Sequence, residues 1–310
     1  MIAELVDRVL SGDDDAVWEL GGEAEDDPVA LRPYLRRLLD ADMYLPETLF
    51  RAADEDLQRE AVARLDAGAG EQWLITVLTA TRGPVVEAAF RRWRSQPPPG
   101  IDVDLVRGLQ RYGWDFDADG RALRVCGTTA YRLVPEEGAS TAAGTCPWCQ
   151  SRLWTLLDVD TADPAAGDAL AHSGWQGRLR IVACCPCSTY ADIFTEVTPE
   201  GGAAWSTHTV PPGYLNELVL EAMEPPPARF TPGERRPGLY LAGDGEGRST
   251  LGGRPDWIQD PDYPVCPGCG QVMTYVGALA GADVAESGAG VHYLFLHAPC
   301  GLAGVVSQFD

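Results

Sequence analysis

The sequence predicts an α+β protein: an all-α array of helical hairpins followed by a duplicated, β-rich domain. Three observations lead to this prediction. Apolar residues recur at intervals of three and four over the first third of the chain, which is the period of an amphipathic helix. After residue 113 the pattern changes to short β-like runs separated by Gly and Pro. Two related sets of Cys and His residues follow in this second part.

Composition sets the broad class of the protein. The chain has 310 residues, of which 45% are hydrophobic and 23% charged, so it can build the cores of two domains. No apolar run is long enough for a membrane span, and the N-terminus lacks the basic start and cleavage site of a signal peptide. We therefore expect a cytoplasmic protein. The net charge is -22, and all 24 basic residues are arginine, which opposes nonspecific binding to nucleic acid.

Residues 1–113 form the predicted helical domain. Its apolar stripes are Ile2, Leu5, Val6, Val9 and Leu10; Leu31, Tyr34, Leu35, Leu38 and Leu39; Leu57, Ala61, Val62 and Leu65; Trp73, Leu74, Val77 and Leu78; and Val85, Val86, Ala89, Phe90 and Trp93. Asp54 suits a helix cap and Pro84 a first helical turn. Stacked hairpins in a HEAT-like array fit these stripes best, and an irregular helical bundle is the alternative.

An arginine cluster on the last of these stripes has two interpretations. Arg91, Arg92 and Arg94 surround Trp93, and they could form a local patch for nucleic acid. A solvated helix face beside a buried Trp93 is the favoured interpretation.

Two β units are predicted after the helical domain, at residues 114–232 and 233–310. Each contains one Cys-Pro-x-Cys segment: TCPWCQ supplies Cys146 and Cys149, and VCPGCGQ supplies Cys266 and Cys269. Pairs with this spacing form knuckles that direct two thiolates toward one tetrahedral metal ion. Each knuckle therefore needs a second ligand pair from elsewhere in the chain.

An internal repeat indicates which residues supply the second pairs. Downstream of the later knuckle, LHAPCG offers His297 and Cys300 with the same two-residue gap. The segments GRLRIVACCPC and GVHYLFLHAPC have equal length, and each places a Gly seven residues before its first ligand. This alignment matches Cys184 with His297 and Cys187 with Cys300, and it leaves Cys185 without a matching ligand.

The chain is thus predicted to carry two zinc-ribbon-like knuckle sites, each with four protein ligands. The ligands are Cys146, Cys149, Cys184 and Cys187 in the first site and Cys266, Cys269, His297 and Cys300 in the second. Zn²⁺ suits thiolate and imidazole in a tetrahedral shell, and iron is the alternative at the four-cysteine site. Four protein ligands leave no position for water, so both ions are predicted to be structural.

Thiol chemistry is the competing explanation for the cysteines. Each Cys-Pro-x-Cys could act as a redox pair, but the strand and helix start that such pairs use are not evident. The matched second pairs favour metal binding. Cys185 and Cys126 remain outside the two sites, and both are predicted to be small buried hydrophobic residues rather than reactive thiols.

The end of the chain resembles a known family. The segment LGGRPDWIQDPDYPVCPGCGQVMTYVGAL, followed by YLFLHAPCGLAGVVSQFD, is similar to the YwqG-like domains and the related programmed cell death protein 2 family. The matching residues are Gly252, Gly253, Pro255, Trp257, Gln259 and Met273, together with the knuckle and its second ligand pair. The resemblance covers about residues 235–310, while 120–207 share only the cysteines and strand pattern. It implies a β-rich, duplicated fold and, from eukaryotic relatives, binding of a ribosomal protein.

These observations predict a zinc-stabilised, cytoplasmic protein-binding module, chaperone-like or immunity-like, without catalytic activity. The expected partner is another protein, with a basic surface that suits the acidic chain. One alternative is a thiol-disulfide enzyme that uses the Cys-Pro-x-Cys pairs or Cys185. The other is a zinc-ribbon nucleic-acid binder through Arg152, Arg178 and Arg180, which the net charge disfavours. No His pairs with a nucleophilic motif, so no catalytic residue is predicted.

Overall fold

A computed structural model of the chain describes residues 1–68, 73–102, 108–117, 119–137, 141–217, 228–236, 249–284 and 289–309. The chain divides into two compact units, Met1–Leu123 and Arg124–Asp310. Helices and antiparallel sheets both contribute, so the fold is a mixed α+β structure. None of the helices in the described ranges has the length and apolar character needed to cross a membrane.

The first unit is built from short helices. They are α1 (Ile2–Leu10), α2 (Asp14–Asp26), α3 (Leu35–Asp40), α4 (Glu55–Asp66), α5 (Leu74–Ala80) and α6 (Pro84–Trp93). Three 3-10 turns lie between or after these helices, at Arg32–Tyr34, Glu47–Phe50 and Gly108–Tyr112. Two short strands follow, β1 (Trp114–Phe116) and β2 (Ala122–Arg124). The strands form a two-stranded sheet.

Local sequence signals start several of these helices. The carboxylate of Asp54 accepts a hydrogen bond from the backbone N–H of Leu57 at the start of α4, and Pro84 is the first residue of α6. Asp13 caps α2 in the same way, through the N–H of Ala16. A capping carboxylate satisfies an N–H that the helix itself leaves unpaired. The predicted roles of Asp54 and Pro84 are confirmed.

Most residues of the predicted stripes lie in or against the core of this unit, because an amphipathic helix places its apolar residues on one face. Trp93 is fully buried, and its Nε1 donates to Asp66 over 2.9 Å. Phe90 packs edge-on against Trp114 at 5.3 Å between ring centroids. Trp73 is the exception to the predicted stripe. It precedes α5 and is 46% exposed, since only the helix that follows it faces the core.

The second unit contains the remaining strands. They are β3 (Ala130–Glu137), β4 (Thr141–Thr145), β5 (Arg152–Asp160), β6 (Arg178–Ala183), β7 (Ile193–Val197), β8 (Ala203–Trp205), β9 (Ala228–Arg236), β10 (Thr250–Gly252), β11 (Thr274–Ala280), β12 (Val291–His297) and β13 (Leu302–Gln308). Its helices are α7 (Pro164–Leu170), α8 (Cys185–Ser188) and α9 (Gly281–Val284), with 3-10 turns at Ala171–Ser173, Gly213–Glu217 and Ala298–Cys300.

Two antiparallel sheets organise this unit. The larger has eight strands in the order β8-β7-β13-β12-β11-β10-β3-β9, and the smaller has the order β4-β5-β6. Strands from both predicted β units therefore share the larger sheet, where β7 pairs with β13. Leu156 and Ile181 of the smaller sheet belong to the same buried apolar cluster as Leu294 and Val305 of the larger one.

Gly252 is the last residue of β10, at a place where a side chain would not fit, and Gly253 follows it. Both have positive φ, +73° and +71°, which glycine adopts without strain. A Cβ on Gly252 would lie 2.5 Å from the carbonyl oxygen of Thr129. Trp257 follows this turn and packs over Tyr293 of β12 at 4.5 Å between ring centroids. Trp257 thus covers part of the larger sheet.

Candidate metal centres

The structure brings the eight predicted ligands together in two groups that could each hold a metal ion. The first group is Cys146, Cys149, Cys184 and Cys187, and the second is Cys266, Cys269, His297 and Cys300. Within each group the ligand atoms lie within 4.8 Å of one another. These are the groupings that the internal repeat predicts.

Sulfur distances in the first group fit a tetrahedral ion. Sγ of Cys146 lies 3.6 Å from Sγ of Cys187, and Sγ of Cys149 lies 3.3 Å from Sγ of Cys184. A Zn–S bond of about 2.3 Å gives a tetrahedral S–S edge of about 3.8 Å. A disulfide would need about 2.05 Å, and all the cysteines described are thiols.

The two knuckles have the same backbone hydrogen bonds. In the first, the N–H of Cys146 donates to Ser151 O (2.8 Å) and the N–H of Gln150 donates to Cys146 O (3.0 Å). In the second, the corresponding bonds run from Cys266 to Gln271 (2.7 Å) and from Gly270 to Cys266 (2.8 Å). Each turn ends with one residue in the left-handed backbone conformation. Its φ is +62° at Gln150 in the first knuckle and +77° at Gly270 in the second. This turn directs both thiols of a knuckle to one side.

Two polar side chains that the sequence alone did not single out support the ligands. Ser151 accepts a hydrogen bond from the Cys149 thiol over 3.1 Å, and Oε1 of Gln271 lies 3.3 Å from Nε2 of His297. Donation from Nε2 to this oxygen would leave Nδ1 of His297 to bind a metal. Both residues follow the second knuckle cysteine by two positions. That shared offset is the signal by which they could have been found.

The two groups differ in their contact with solvent. Cys146, Cys184 and Cys187 are buried, and Cys149 is half-buried. In the second group, Cys269 and Cys300 are exposed, while Cys266 and His297 are buried. The first group is therefore shielded by protein on most sides, and the second is open on the side of two of its thiols.

Without a cation, the thiols of the first group share protons. The contact with Cys184, and then that with Cys187, lowers the pKa of Cys146, and contact with Cys146 raises the pKa of the other two. Four negative sulfurs at this distance repel one another, so only a cation lets all of them ionise. In the second group, burial lowers the pKa of His297. That favours the neutral imidazole, which is the form that binds metals.

The hairpins that carry the two groups have the same register. In β5 and β6, Trp154 lies opposite Ala183 and Thr155 opposite Val182; in β11 and β12, the equivalent partners are Thr274 with Leu296 and Tyr275 with Phe295. These positions have equal offsets from the knuckle and from the second ligand pair. A β-bulge also interrupts each hairpin directly after this point, at 156 and at 276. The two hairpins thus share both the register of these pairs and the position of the bulge.

The ends of the hairpins match as well. The N–H of Thr161 donates to Gly177 O over 3.1 Å, and the N–H of Gly281 donates to Gly290 O over 2.8 Å. Gly177 and Gly290 both have positive φ, +101° and +75°. The two hairpins therefore differ in length only beyond these bonds. The longer excursion carries α7, and the shorter one carries α9.

Cys185 and Cys126 lie outside both groups. Cys185 is half-buried at the start of α8, and burial raises the pKa of its thiol. This direction disfavours the thiolate that a nucleophilic cysteine needs. Cys126 is buried. Cys126 agrees with the prediction of a small, buried side chain, whereas Cys185 is only half-buried.

The other candidate residues are engaged within the fold. Asp158 accepts hydrogen bonds from both Arg178 (2.6 and 2.8 Å) and Arg180 (3.1 and 2.9 Å). In the helical unit, Arg92 forms an ion pair with Asp66, and the Arg94 guanidinium lies 4.6 Å from the Phe116 ring. Asp158 and Asp66 each offset one of these positive charges.

Comparison with known proteins adds one relative. The chain is similar to the uncharacterized protein YpfL of Salmonella typhimurium. The two sequences are 32% identical over 231 residues, which is 70% of this chain and 53% of YpfL. The chain thus spans about half the length of this curated relative. No family model matches the sequence, and no solved structure matches it.

Proposed function

We propose that the protein is a cytoplasmic, zinc-stabilised module that binds another protein and has no catalytic activity of its own. The observation that carries this proposal is the convergence of four protein ligands in each of two groups. Four such ligands complete a tetrahedral shell, which is typical of structural rather than catalytic zinc. The S–S distances of 3.3 and 3.6 Å in the first group agree with that geometry.

The proposal includes an internal duplication. The shared register, the bulge and the hydrogen bonds at the hairpin ends support descent of the two hairpins from one metal-binding unit. The resemblance of residues 235–310 to YwqG-like and programmed cell death protein 2-related domains, in which such a duplication is expected, fits the same history. The strand that follows each hairpin pairs differently. After the second hairpin, β13 pairs with β12 of that hairpin, whereas β7, which follows the first hairpin, pairs with β13.

The proposed partner is a basic protein. A net charge of -22 repels acidic partners and nucleic acids and attracts cationic ones at long range. The helices of the first unit, proposed to form a HEAT-like array, would supply an extended surface for such a partner. A chaperone-like or immunity-like role, in which a cationic protein is held in a complex, suits this charge.

Elemental analysis of the purified chain tests the metal proposal. We expect about two equivalents of zinc per chain in the wild type. The adjacent residues Cys184 and Cys185 provide a matched pair of variants, because only the first belongs to a ligand group. Cys184→Ser is expected to retain about one equivalent and Cys185→Ser about two. A metal-free protein with reactive thiols would instead favour the thiol-disulfide enzyme, and iron in place of zinc would correct the identity of the ion.

Affinity capture tests the binding proposal. The tagged, metal-loaded chain is incubated with extract of its native cell at low salt, and retained proteins are identified by mass spectrometry. We expect a basic protein that elutes as salt increases, since screening weakens the attraction. Two results would contradict the proposed function. One is nucleic acid that the chain retains even from nuclease-treated extract, and the other is retention of no protein at all.

A further inference from the structure

The two knuckles differ at the position before their second cysteine. This residue is Trp148 in the first knuckle and Gly268 in the second. The ring of Trp148 packs edge-on against Trp205 of β8, with 5.2 Å between the ring centroids. Trp148 is half-buried, as is the ligand Cys149 that follows it, and its backbone N–H lies 3.4 Å from Sγ of Cys146. An aromatic pair therefore lies beside the first group.

A side chain at position 268 would lie against the sulfurs of the second group. A Cβ built on Gly268 would be 3.6 Å from Sγ of Cys300 and 3.7 Å from Sγ of Cys266. These are ordinary van der Waals distances, and Gly268 is not among the residues with positive φ. The turn therefore does not require glycine at this position. The absence of a side chain leaves the sulfurs uncovered where the first knuckle has an indole ring.

Two thiols of the second group are open to solvent. Cys269 and Cys300 are exposed, and every residue of the knuckle from 267 to 271 is exposed as well. The ligand atoms of this group lie within 4.8 Å of one another, so the two sulfurs need to approach by less than about 3 Å to form a disulfide. Cys266 is buried. The pair that a dissolved oxidant reaches is therefore Cys269 with Cys300.

We propose that Cys269 and Cys300 are a site of oxidation by hydroperoxides, at which a disulfide replaces two ligands of the second group. Exposed thiolates are the sulfurs that peroxides oxidise most readily. A disulfide sulfur no longer serves as a thiolate ligand, so Cys266 and His297 alone would remain. Two ligands do not complete the tetrahedral shell of a structural zinc ion, and the ion would be lost. The inference rests on the proposed function, because the proposed function supplies the ion.

The oxidation requires hydrogen peroxide and two protons as reactants. The thiolate of Cys269 attacks one peroxide oxygen, the O–O bond breaks, and hydroxide leaves a sulfenic acid on Cys269. The thiolate of Cys300 then attacks this sulfur, the S–S bond forms, and a second hydroxide leaves. Both hydroxides take protons from the solvent and become water. Each sulfur loses one electron, and the two electrons reduce the peroxide.

Zinc release from the metal-loaded chain in hydrogen peroxide tests the proposal, with a metallochromic dye as the readout. We expect about one of two equivalents to be released, because only the second group exposes its thiols. Peptide mass spectrometry should then find a disulfide between Cys269 and Cys300. A thiol reductant with added zinc should restore the original zinc content, since thiol–disulfide exchange reverses the oxidation.

Variants of the two knuckle residues change access to the sulfurs and keep all eight ligands. Gly268→Trp is expected to slow the release by about five- to ten-fold, because an indole covers the sulfurs. Gly268→Ala is the matched control, and one methyl group should slow the release by less than about two-fold. Trp148→Gly should make the first group release its ion in peroxide as well. Elemental analysis before oxidation identifies any variant that fails to fold, and the variant of the other knuckle then decides the comparison.

Three results would overturn the proposal. The first is loss of both zinc equivalents at the same rate from the wild type. The second is release without a disulfide between Cys269 and Cys300, and the third is equal release from the wild type, Gly268→Trp and Trp148→Gly. A wild-type chain purified without zinc would instead contradict the proposed function. The disulfide map of that chain after peroxide treatment would then decide the oxidation site by itself.

Discussion

His292 illustrates how tertiary burial fixes the chemistry of a single side chain. It lies on β12, 7% exposed, and its Nδ1 is 2.7 Å from Oγ of Ser307 on the neighbouring strand. The ring edges of Trp154 and Phe309 close around it. Burial lowers the pKa of His292 from 6.5 to about 4. A neutral, enclosed imidazole of this kind packs as a core residue and does not serve as a base at neutral pH.

The lowered pKa of His292 predicts a loss of stability in acid. Between pH 6.5 and about 4 the unfolded chain binds a proton at His292 that the folded chain does not, so stability falls as the pH falls through this window. Relative to His292→Gln, the wild type is expected to lose roughly 2.5 kcal/mol of unfolding free energy between pH 7 and 4.5. Urea unfolding at a series of pH values measures the difference.

The comparison with His292→Gln removes other acid effects, because metal release and the opposite contribution of Asp192 occur in both proteins. Asp192 has a raised pKa, so its contribution grows as the pH falls through about 6. His208 is exposed, and His208→Gln serves as the control. A parallel pH profile for wild type and His292→Gln would show that burial of His292 carries no such cost.

At the scale of elements, each knuckle is a tight turn that depends on one left-handed residue. Gly270 fills this place in the second knuckle, and Gln150 fills it in the first. Gln150 compensates in part, since its side chain donates to Pro147 O over 3.3 Å. An L-residue with a side chain is strained in this conformation. The same turn is therefore built from two different residues at different cost.

Gly270→Ala tests this account of the knuckle. No atom lies within 4 Å of a Cβ built on Gly270, so only the backbone conformation opposes the change. We expect a loss of about 1–2 kcal/mol in unfolding free energy, measured by chemical denaturation. Gly22→Ala on α2 is the matched control, because the site is equally open but has no positive φ. There alanine should stabilise the helix by about 0.5–1 kcal/mol, and two changes of the same sign would refute the explanation.

At the scale of the whole molecule, both candidate ligand groups lie in one unit. Residues 1–123 contain no Cys and no His, whereas all eight ligands belong to Arg124–Asp310. Each unit has its own buried apolar cluster. A metal ion in either group would therefore stabilise the second unit directly, and the apparent contribution of a structural zinc ion in small zinc modules is about 10–16 kcal/mol.

A chelator is expected to remove the two proposed ions in sequence. The exposed thiols Cys269 and Cys300 admit the chelator to the second group, while the buried sulfurs of the first group exclude it. A metallochromic dye should record a fast phase and a slow phase of equal amplitude. Cys300→Ser should abolish the fast phase and Cys187→Ser the slow one.

Circular dichroism of the same samples follows the two units. Loss of metal should change the near-UV signal and lower the melting temperature of the second unit, and the helical signal of residues 1–123 should persist. A single release phase would contradict the difference in solvent access between the two groups. Melting that the chelator leaves unchanged would contradict a structural role for the metal ions.

The sequence by itself determined the local features of this protein. The helix stripes, the cap at Asp54, the helix start at Pro84 and the knuckle pairs all depend on residues a few positions apart, whose spacing fixes their geometry. The second ligand pairs were also within reach, because the repeat preserves their offsets. The HEAT-like arrangement of the helices stays a prediction, since stacking depends on contacts that no short pattern specifies.

Only the tertiary structure decided how distant segments meet. Pairing of β7 with β13 merges the two predicted β units in one sheet, and the packing around each metal group leaves one enclosed and the other open. The same packing joins the loop of Tyr214 to that of Tyr190 through a hydrogen bond of 2.7 Å, although neither residue belongs to a motif. Such proximity arises when the chain buries its apolar strands together, and this long-range process fixes where each loop lies without leaving a signal in the loop's own sequence.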